Sequence, residues 1–228
     1  RLGNIDVINQ TIFTDMGHKV IETPPNSKRT MDLGVRYSPE YCCLPLKIVL
    51  GNFIEALERG AEVLVMAGGW GPCRFGYYSQ VQRDILMDLG YKFYMLTMEL
   101  PRGNLKRLWH NLNLLRNGKS WSFTVRQYGF AWQKILLAEV LEGKVLQVRP
   151  REKNKGLASR ILRKNIKAIK LANSRAELDD IRQKALSEFD RAIDPNKKIQ
   201  ARVALVGEFY VALEPFANHY LEEKLGYM

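Results

Sequence analysis

Three cysteines, Cys42, Cys43 and Cys73, are the residues of this chain best suited to metal or redox chemistry. Cys42 and Cys43 lie in a proline-flanked loop just before a predicted helix, and Cys73 follows a predicted strand and precedes another helix. The dipole and the free N–H groups of a helix N-terminus stabilise a thiolate, so both loops favour the ionised form that binds metals. Adjacent cysteines cannot form an unstrained disulfide, but they can bind different irons of one cluster.

The residues beside these cysteines could hold an anionic group. Gly71 belongs to a glycine-rich run, residues 68–72, whose backbone N–H groups can approach sulfide or phosphate closely. Lys47 and Arg74 could neutralise an anionic cluster or contact the phosphates of an acyl-CoA, or they could be ordinary surface charges. The cysteine spacing matches no zinc or ferredoxin motif. From spacing alone, a metal site and three thiols without a role are both open interpretations.

The elements that must position these cysteines follow a strand–helix pattern. Residues 46–59 have the apolar spacing of a helix, the apolar run 63–67 predicts a fully buried parallel strand, and residues 77–89 and 92–97 predict the next helix and strand. This succession is typical of a doubly wound sheet, in which ligands bind at the carboxyl ends of the strands. We therefore predict an α/β protein with Rossmann-like parallel sheet units, and Cys73 lies where a site is expected.

A large helical insertion follows the first α/β unit. Four helices are predicted between residues 104 and 193, with no convincing strand among them. The expected organisation is a Rossmann-like unit over residues 1–101, a helical insertion over 102–198 and the start of a second unit over 199–228. Residues 5–16 predict a helix, residues 18–22 and 201–206 predict strands, and residues 215–225 predict a last helix.

The two ends of the chain resemble each other, since in each a glycine turn precedes a helix that ends in a hydrophobic residue and glycine. By this comparison, the opening lacks a strand that would come before Arg1, and the ending lacks a strand that would come after Met228. We therefore expect the chain to be a segment of a longer protein, cut inside two related α/β units.

Basic residues are concentrated in the predicted insertion. Ten lysines and arginines lie between residues 149 and 175, against the single acid Glu152, and the whole chain has a formal charge of +11. Such a segment can bind an acidic partner protein, the phosphates of a nucleotide-like cofactor or nucleic acid, or it can be a solvated helix face. Nucleic acid is the least favoured partner, because no nucleic-acid motif accompanies the charge.

Composition excludes several classes of protein. The 228 residues are 46% hydrophobic, which is typical of a globular chain, and no apolar run approaches the ~18–20 residues of a membrane span. No phosphate-binding loop of the P-loop type and no nucleophile elbow is present, so the chain is not an obvious ATPase or hydrolase. We expect a soluble, cytoplasmic protein.

Residues 41–86 are similar to the iron–sulfur proteins related to 2-hydroxyacyl-CoA dehydratase subunits and their activators. The resemblance rests on a Cys-Leu-Pro-x-Lys helix start at residues 43–47, and on a Gly-Pro-Cys-Arg-x-Gly-x-Tyr pattern at residues 71–78. Gln82 lies in the helix that follows, and residues 206–226 resemble the stretch that opens the second half of these proteins. The family's further cysteine ligands usually come later in the chain, whereas this sequence has none after Cys73.

The resemblance implies an iron–sulfur cluster, either [4Fe–4S] or a double cubane, with Cys42, Cys43 and Cys73 as metal ligands. Lys47, Gly71 and Arg74 would be the residues contacting the cofactor. A separate ATP-dependent activator protein would supply low-potential electrons for a reductive reaction, with an acyl-CoA or another small substrate, in a homo- or hetero-oligomer. The alternative function is a non-catalytic subunit or regulator that binds a partner through the basic helical segment.

Overall fold

The computed structural model describes residues 2–69, 73–98, 105–199 and 201–228. The fold is mixed α/β and mostly helical, with one two-stranded parallel sheet in the described part. These residues divide into two compact units. The first unit comprises Lys19–Ser120, and the second combines Leu2–His18 with Trp121–Met228. None of the helices described is long and apolar enough to cross a lipid bilayer.

The first unit contains four helices and both strands. In chain order they are α1 (Lys28–Tyr37), α2 (Leu44–Glu58), β1 (Val63–Ala67), α3 (Tyr78–Asp88), β2 (Tyr94–Met98) and α4 (Leu105–Arg116). A short 3-10 helix, Arg74–Tyr77, precedes α3.

Helices α1 and α2 pack backbone to backbone. Ser27 begins α1 with a capping box, in which its hydroxyl accepts from the Thr30 N–H and the Thr30 hydroxyl accepts from the Ser27 N–H. Gly34 lies against the backbone of Lys47, and Gly51 lies against the backbone of Thr30, in both cases too close for any Cβ atom. The two glycines therefore set the distance between α1 and α2, and so the position of the loop from which α2 begins.

The predicted parallel strand pair is confirmed, in a register that places Val63 beside Tyr94 and Ala67 beside Met98. The prediction that β1 is fully buried is wrong. Its side chains alternate, since Leu64 and Met66 are buried against residues of α2 and α3, whereas Val63 is 51% exposed. A parallel strand is buried on both faces only when helices cover both, and in the described part of the first unit β1 is covered on one face.

The second unit is built around three helices, α5 (Trp121–Val148), α6 (Leu157–Leu171) and α7 (Arg175–Ala192). Their apolar faces form one core, which includes Phe130, Leu137, Leu141, Val145, Ile161, Ile169, Leu178 and Phe189. A 3-10 turn, Arg149–Arg151, joins α5 to α6, and two short helices follow, α8 (Phe209–Leu213) and α9 (Leu221–Leu225). The helical character predicted for residues 104–193 is confirmed over the described part, residues 105–193.

At the ends of the chain, one helix prediction and two strand predictions are wrong, and the prediction of a last helix is right only in part. Residues 5–16 form a 3-10 helix, Ile5–Ile8, and a π-helix, Gln10–Thr14, rather than one α-helix. The segment is rich in β-branched residues, whose side chains lose conformational freedom in an α-helix. Residues 18–22 and 201–206 form no strand, because no described segment pairs with them. The predicted last helix is shortened, since His219 and Tyr220 adopt left-handed backbone conformations just before α9.

Candidate functional site

The three predicted ligands lie in two loops of the first unit. Cys43 is the N-cap residue of α2, and Cys73 is the N-cap residue of the 3-10 helix that leads into α3. Both have an extended backbone, and neither side chain makes a capping hydrogen bond. Cys42 and Cys43 are half-buried, Cys73 is exposed, and all three are free thiols. The predicted placement of the cysteines at the starts of helices is confirmed.

A hydrogen bond joins the two cysteine loops. Arg74, which follows Cys73, donates from Nη1 to the carbonyl oxygen of Tyr41, which precedes Cys42, at 3.2 Å. The bond ties residues that are 33 positions apart in the chain. The sequence placed Arg74 beside a cysteine, and the structure shows that this arginine holds the other cysteine loop.

A small apolar cluster lies beneath the joined loops. Its buried members are Leu46, Met66 and Tyr78, and the half-buried side chains packed against them are Cys42, Cys43, Val49, Phe53, Phe75, Val81 and Met95. The cluster therefore contains residues from α2, β1 and the start of α3, together with two of the three thiols. Apolar surroundings of this kind limit water around a sulfur atom and raise the energy of an added charge.

Tyr78 is the direct polar partner of Cys43. Its hydroxyl lies 2.6 Å from Cys43 Sγ, and either atom could be the donor. The Tyr78 ring is 4% exposed and packs edge-to-face on Phe75, with ring centroids 5.4 Å apart. Sequence reasoning did not foresee this contact, because an aromatic residue at the start of a helix is typical of core packing and reveals nothing of its hydroxyl partner.

Gln82 lies one helical turn after Tyr78 and connects α3 to the start of α2. It is fully buried, and its Nε2 donates to the Leu46 carbonyl oxygen at 3.2 Å. Its Oε1 has no hydrogen-bond partner in the described part of the chain. The hydrogen bond from Gln82 to Leu46 fixes the distance between α3 and the start of α2, because separating the two helices would leave the buried Leu46 carbonyl oxygen without its partner, which is costly.

The two predicted cationic residues remain beside the cysteine loops but bind their backbones. Lys47 Nζ donates to the Glu40 carbonyl oxygen at 3.0 Å, next to the carbonyl that Arg74 contacts. Lys47 is half-buried and Arg74 is exposed, and each brings positive charge to the loop ahead of Cys42. Gly71, the third residue predicted to contact a cofactor, lies outside the described residues.

Thiolates are the ligands that soft metals and iron–sulfur clusters prefer, so the three cysteines are of a suitable donor type. The arrangement of side chains is a separate matter. Within residues 2–69, 73–98, 105–199 and 201–228, no group of three or more His, Cys, Asp or Glu side chains is placed to hold a metal ion. Cluster binding thus requires the cysteine side chains to turn toward a common centre, and the Cys43 thiol to lose its proton and accept the hydrogen bond from Tyr78.

The basic segment of the sequence, residues 149–175, belongs to the second unit. Part of its charge is neutralised within that unit, since Lys170 pairs with Asp6 at 3.5 Å and Lys164 pairs with Glu188. Arg149 is buried rather than exposed. The segment is therefore not a uniform charged face.

No protein-family model, no curated protein and no solved structure matches this chain. The assignment of a function consequently depends on the residues and contacts described above.

Proposed function

We propose that this chain is an iron–sulfur protein in which Cys42, Cys43 and Cys73 supply thiolate ligands. It would belong with the Rossmann-like proteins related to 2-hydroxyacyl-CoA dehydratase subunits and their activators. The observation that carries the proposal is the hydrogen bond from Arg74 to the Tyr41 carbonyl, because it ties the Cys73 loop to the loop of the other two cysteines. Because a specific contact holds the thiols in one region, we infer that they bind one shared group rather than serve three unrelated roles.

The charges and helix ends around the cysteines support an anionic group. Cys43 caps the 15-residue helix α2, whose N-terminal N–H groups and dipole stabilise negative charge. Lys47 and Arg74 add two positive charges beside the same loop. When bound, an iron–sulfur cluster would supply one-electron transfer at a potential set by these charges, by burial and by hydrogen bonds to its sulfurs.

The chain's own residues would hold and shield that group. Phe75 and Tyr78 would exclude water from one side, and the Tyr78 hydroxyl could donate a hydrogen bond to a thiolate sulfur of Cys43. A four-iron cluster has four ligand positions, whereas this sequence has three cysteines. A fourth ligand would therefore come from outside these three cysteines.

Electron delivery is the second part of the proposal. The sequence contains no nucleotide-hydrolysing loop. We propose that a separate ATP-dependent activator reduces the cluster for a reductive reaction on an acyl-CoA or another small substrate. The activator and the substrate class are inferred from the sequence resemblance.

Iron and acid-labile sulfide would be measured on protein purified without oxygen. We expect stoichiometric iron and sulfide in the wild type, and loss of both in the triple variant in which Cys42, Cys43 and Cys73 are changed to serine. The matched control changes His18, His110 and His219 to glutamine. It removes three side chains of another type that can bind metals, and it should leave the iron content unchanged. Wild-type protein without iron, or equal loss in the two variants, would reject the proposal.

A further experiment addresses electron delivery. The anaerobic protein would be mixed with a candidate activator, ATP and a reductant while the cluster is followed by electron paramagnetic resonance. We expect reduction only when activator and ATP are both present. Full reduction by dithionite alone, unchanged by activator and ATP, would contradict this part and leave the cluster itself intact.

A further inference from the structure

The second unit contains a cavity of about 470 Å³ whose lining includes four cationic side chains. It is lined by the 3-10 turn after α5, by Lys198 and Val203, and by the end of α9. The residues that matter here are Arg149, Glu152, Lys155, Lys197, Lys198 and Tyr227. A volume of this size falls within the range of small-molecule sites, roughly 300–1,000 Å³. All of its lining residues belong to the second unit, whereas the cysteine loops belong to the first.

Backbone contacts build the rim of the cavity. Glu152 forms an antiparallel bridge with Ile193, and its carboxylate accepts from the N–H groups of Gly156 and Ala158 at the start of α6. Lys197 donates from Nζ to the Glu152 carbonyl oxygen at 2.7 Å. Glu152, the single acidic residue among the six, is 3% exposed, and its carboxylate is already bound by N–H groups at the start of α6.

Arg149 is the most deeply buried cation of this cavity, with 8% of its surface exposed. It packs against Gly226, where an added Cβ atom would lie 2.6 Å from Arg149 Cδ. Its Nη1 and Nη2 reach the Glu222 carbonyl and the Ser159 hydroxyl only at 3.4 Å each. Its Nε is buried and has no hydrogen-bond partner in the described part of the chain. A buried guanidinium satisfied this weakly is costly unless an anion completes it.

Tyr227 carries two of the cations on its ring. The Arg149 guanidinium lies 5.8 Å from the ring centroid, and Lys155 Nζ lies 4.8 Å from it. Lys197 and Lys198 line the same cavity. Four cations that line one space repel one another, and this repulsion is relieved when an anion enters.

We propose that this cavity binds a small molecule bearing a polyphosphate group. Phosphate oxygens match both the bidentate donors of an arginine and the point charges of lysines, and Tyr227 offers a planar surface to an attached ring. A concave space floored by a buried arginine suits a compact ligand, whereas a nucleic-acid backbone is usually bound along an open groove. The site is independent of the iron–sulfur proposal.

Inorganic tripolyphosphate is the probe, titrated into the full 228-residue chain by isothermal calorimetry at about 0.15 M salt, where the Debye length is about 8 Å. The test variant combines Lys155→Gln with Lys198→Gln, two exposed residues whose loss should not disturb folding. The control combines Arg163→Gln with Lys167→Gln, which removes the same charge from exposed positions of α6 outside the cavity. Circular dichroism would confirm that both variants are folded.

We expect saturable binding with one site per chain, weakened about tenfold or more in the test variant and changed less than about twofold in the control. Equal weakening in both variants would mean binding to net charge and would overturn the proposal. Absence of saturable binding would also overturn it. A single-stranded oligonucleotide that binds more tightly than tripolyphosphate, with the same dependence on Lys155 and Lys198, would assign the surface to nucleic acid instead.

Discussion

Replacing Gly51 with alanine should destabilise the first unit, although alanine is the better helix former. Gly51 lies inside α2 with no side chain between it and α1. An added Cβ atom would lie far closer to the Thr30 carbonyl oxygen than the 3.0 Å below which real Cβ atoms essentially never approach. The contacting atom is backbone, so no flexible side chain can move aside. The two helices must separate by about 1 Å or more.

The expected magnitude follows from three contributions. Alanine contributes up to about 1 kcal/mol of helix propensity relative to glycine. Overpacking costs about 1–3 kcal/mol, and separation of the helices weakens the buried hydrogen bond from the Thr30 hydroxyl to Glu55, 2.9 Å long, which is worth about 1–3 kcal/mol if it is lost. The net change should be a loss of about 2–4 kcal/mol in the free energy of unfolding of this unit.

Urea denaturation followed by circular dichroism would measure the change, and hydrogen exchange on peptides from residues 28–58 would assign it to the first unit. Gly143→Ala is the matched control, since Gly143 also lies inside a helix and an added Cβ atom meets nothing within 4 Å. That substitution should stabilise the chain by up to about 1 kcal/mol. Opposite signs at the two glycines are expected. A Gly51→Ala protein as stable as Gly143→Ala would refute the close packing of α1 on α2.

Two further substitutions test individual contacts. Tyr78→Phe removes the hydroxyl beside Cys43 Sγ and should lower the free energy of unfolding by about 1 kcal/mol in urea denaturation; an unchanged value would show that this contact contributes nothing. Burial raises the pKa of Glu142 above 4.5, although Asn4 donates to its carboxylate, so ionised Glu142 destabilises the native state at pH values above its native pKa. Glu142→Gln should therefore be more stable than wild type at pH 7, with the difference vanishing well below pH 4.5. Glu139→Gln, on the exposed side of the same helix, removes only a lesser cause of the raised pKa and should show a smaller difference of the same sign. A constant difference for Glu142→Gln at every pH would contradict the assignment.

Local patterns predicted the elements that carry the candidate site. The apolar run of β1 and the helical spacing of residues 46–59 are set by neighbours within a few positions, so they could be recognised without a structure. The same patterns failed at residues 201–206. A strand depends on hydrogen bonds to a partner, and the sequence of one segment does not reveal whether a partner lies beside it.

The candidate site was predictable in its residue types but not in its contacts. The cysteines and Arg74 could be selected because their chemistry and loop positions are visible in the sequence. The partners that they have in the structure, the Tyr78 hydroxyl for Cys43 and the Tyr41 carbonyl for Arg74, are 35 and 33 positions away in the chain. Such pairs depend on how α2, α3 and the strands pack.

The sequence by itself determined the main helical segments from α2 to α7, the presence of a parallel strand pair and the places of thiols and positive charge along the chain. Only the tertiary structure decided that one face of β1 is open, that Arg74 joins the two cysteine loops and that residues near 150, 198 and 227 enclose one cavity. The physical reason is that helix and strand periodicities arise from neighbours along the chain, whereas loop contacts and cavities arise from packing between segments that are distant in it.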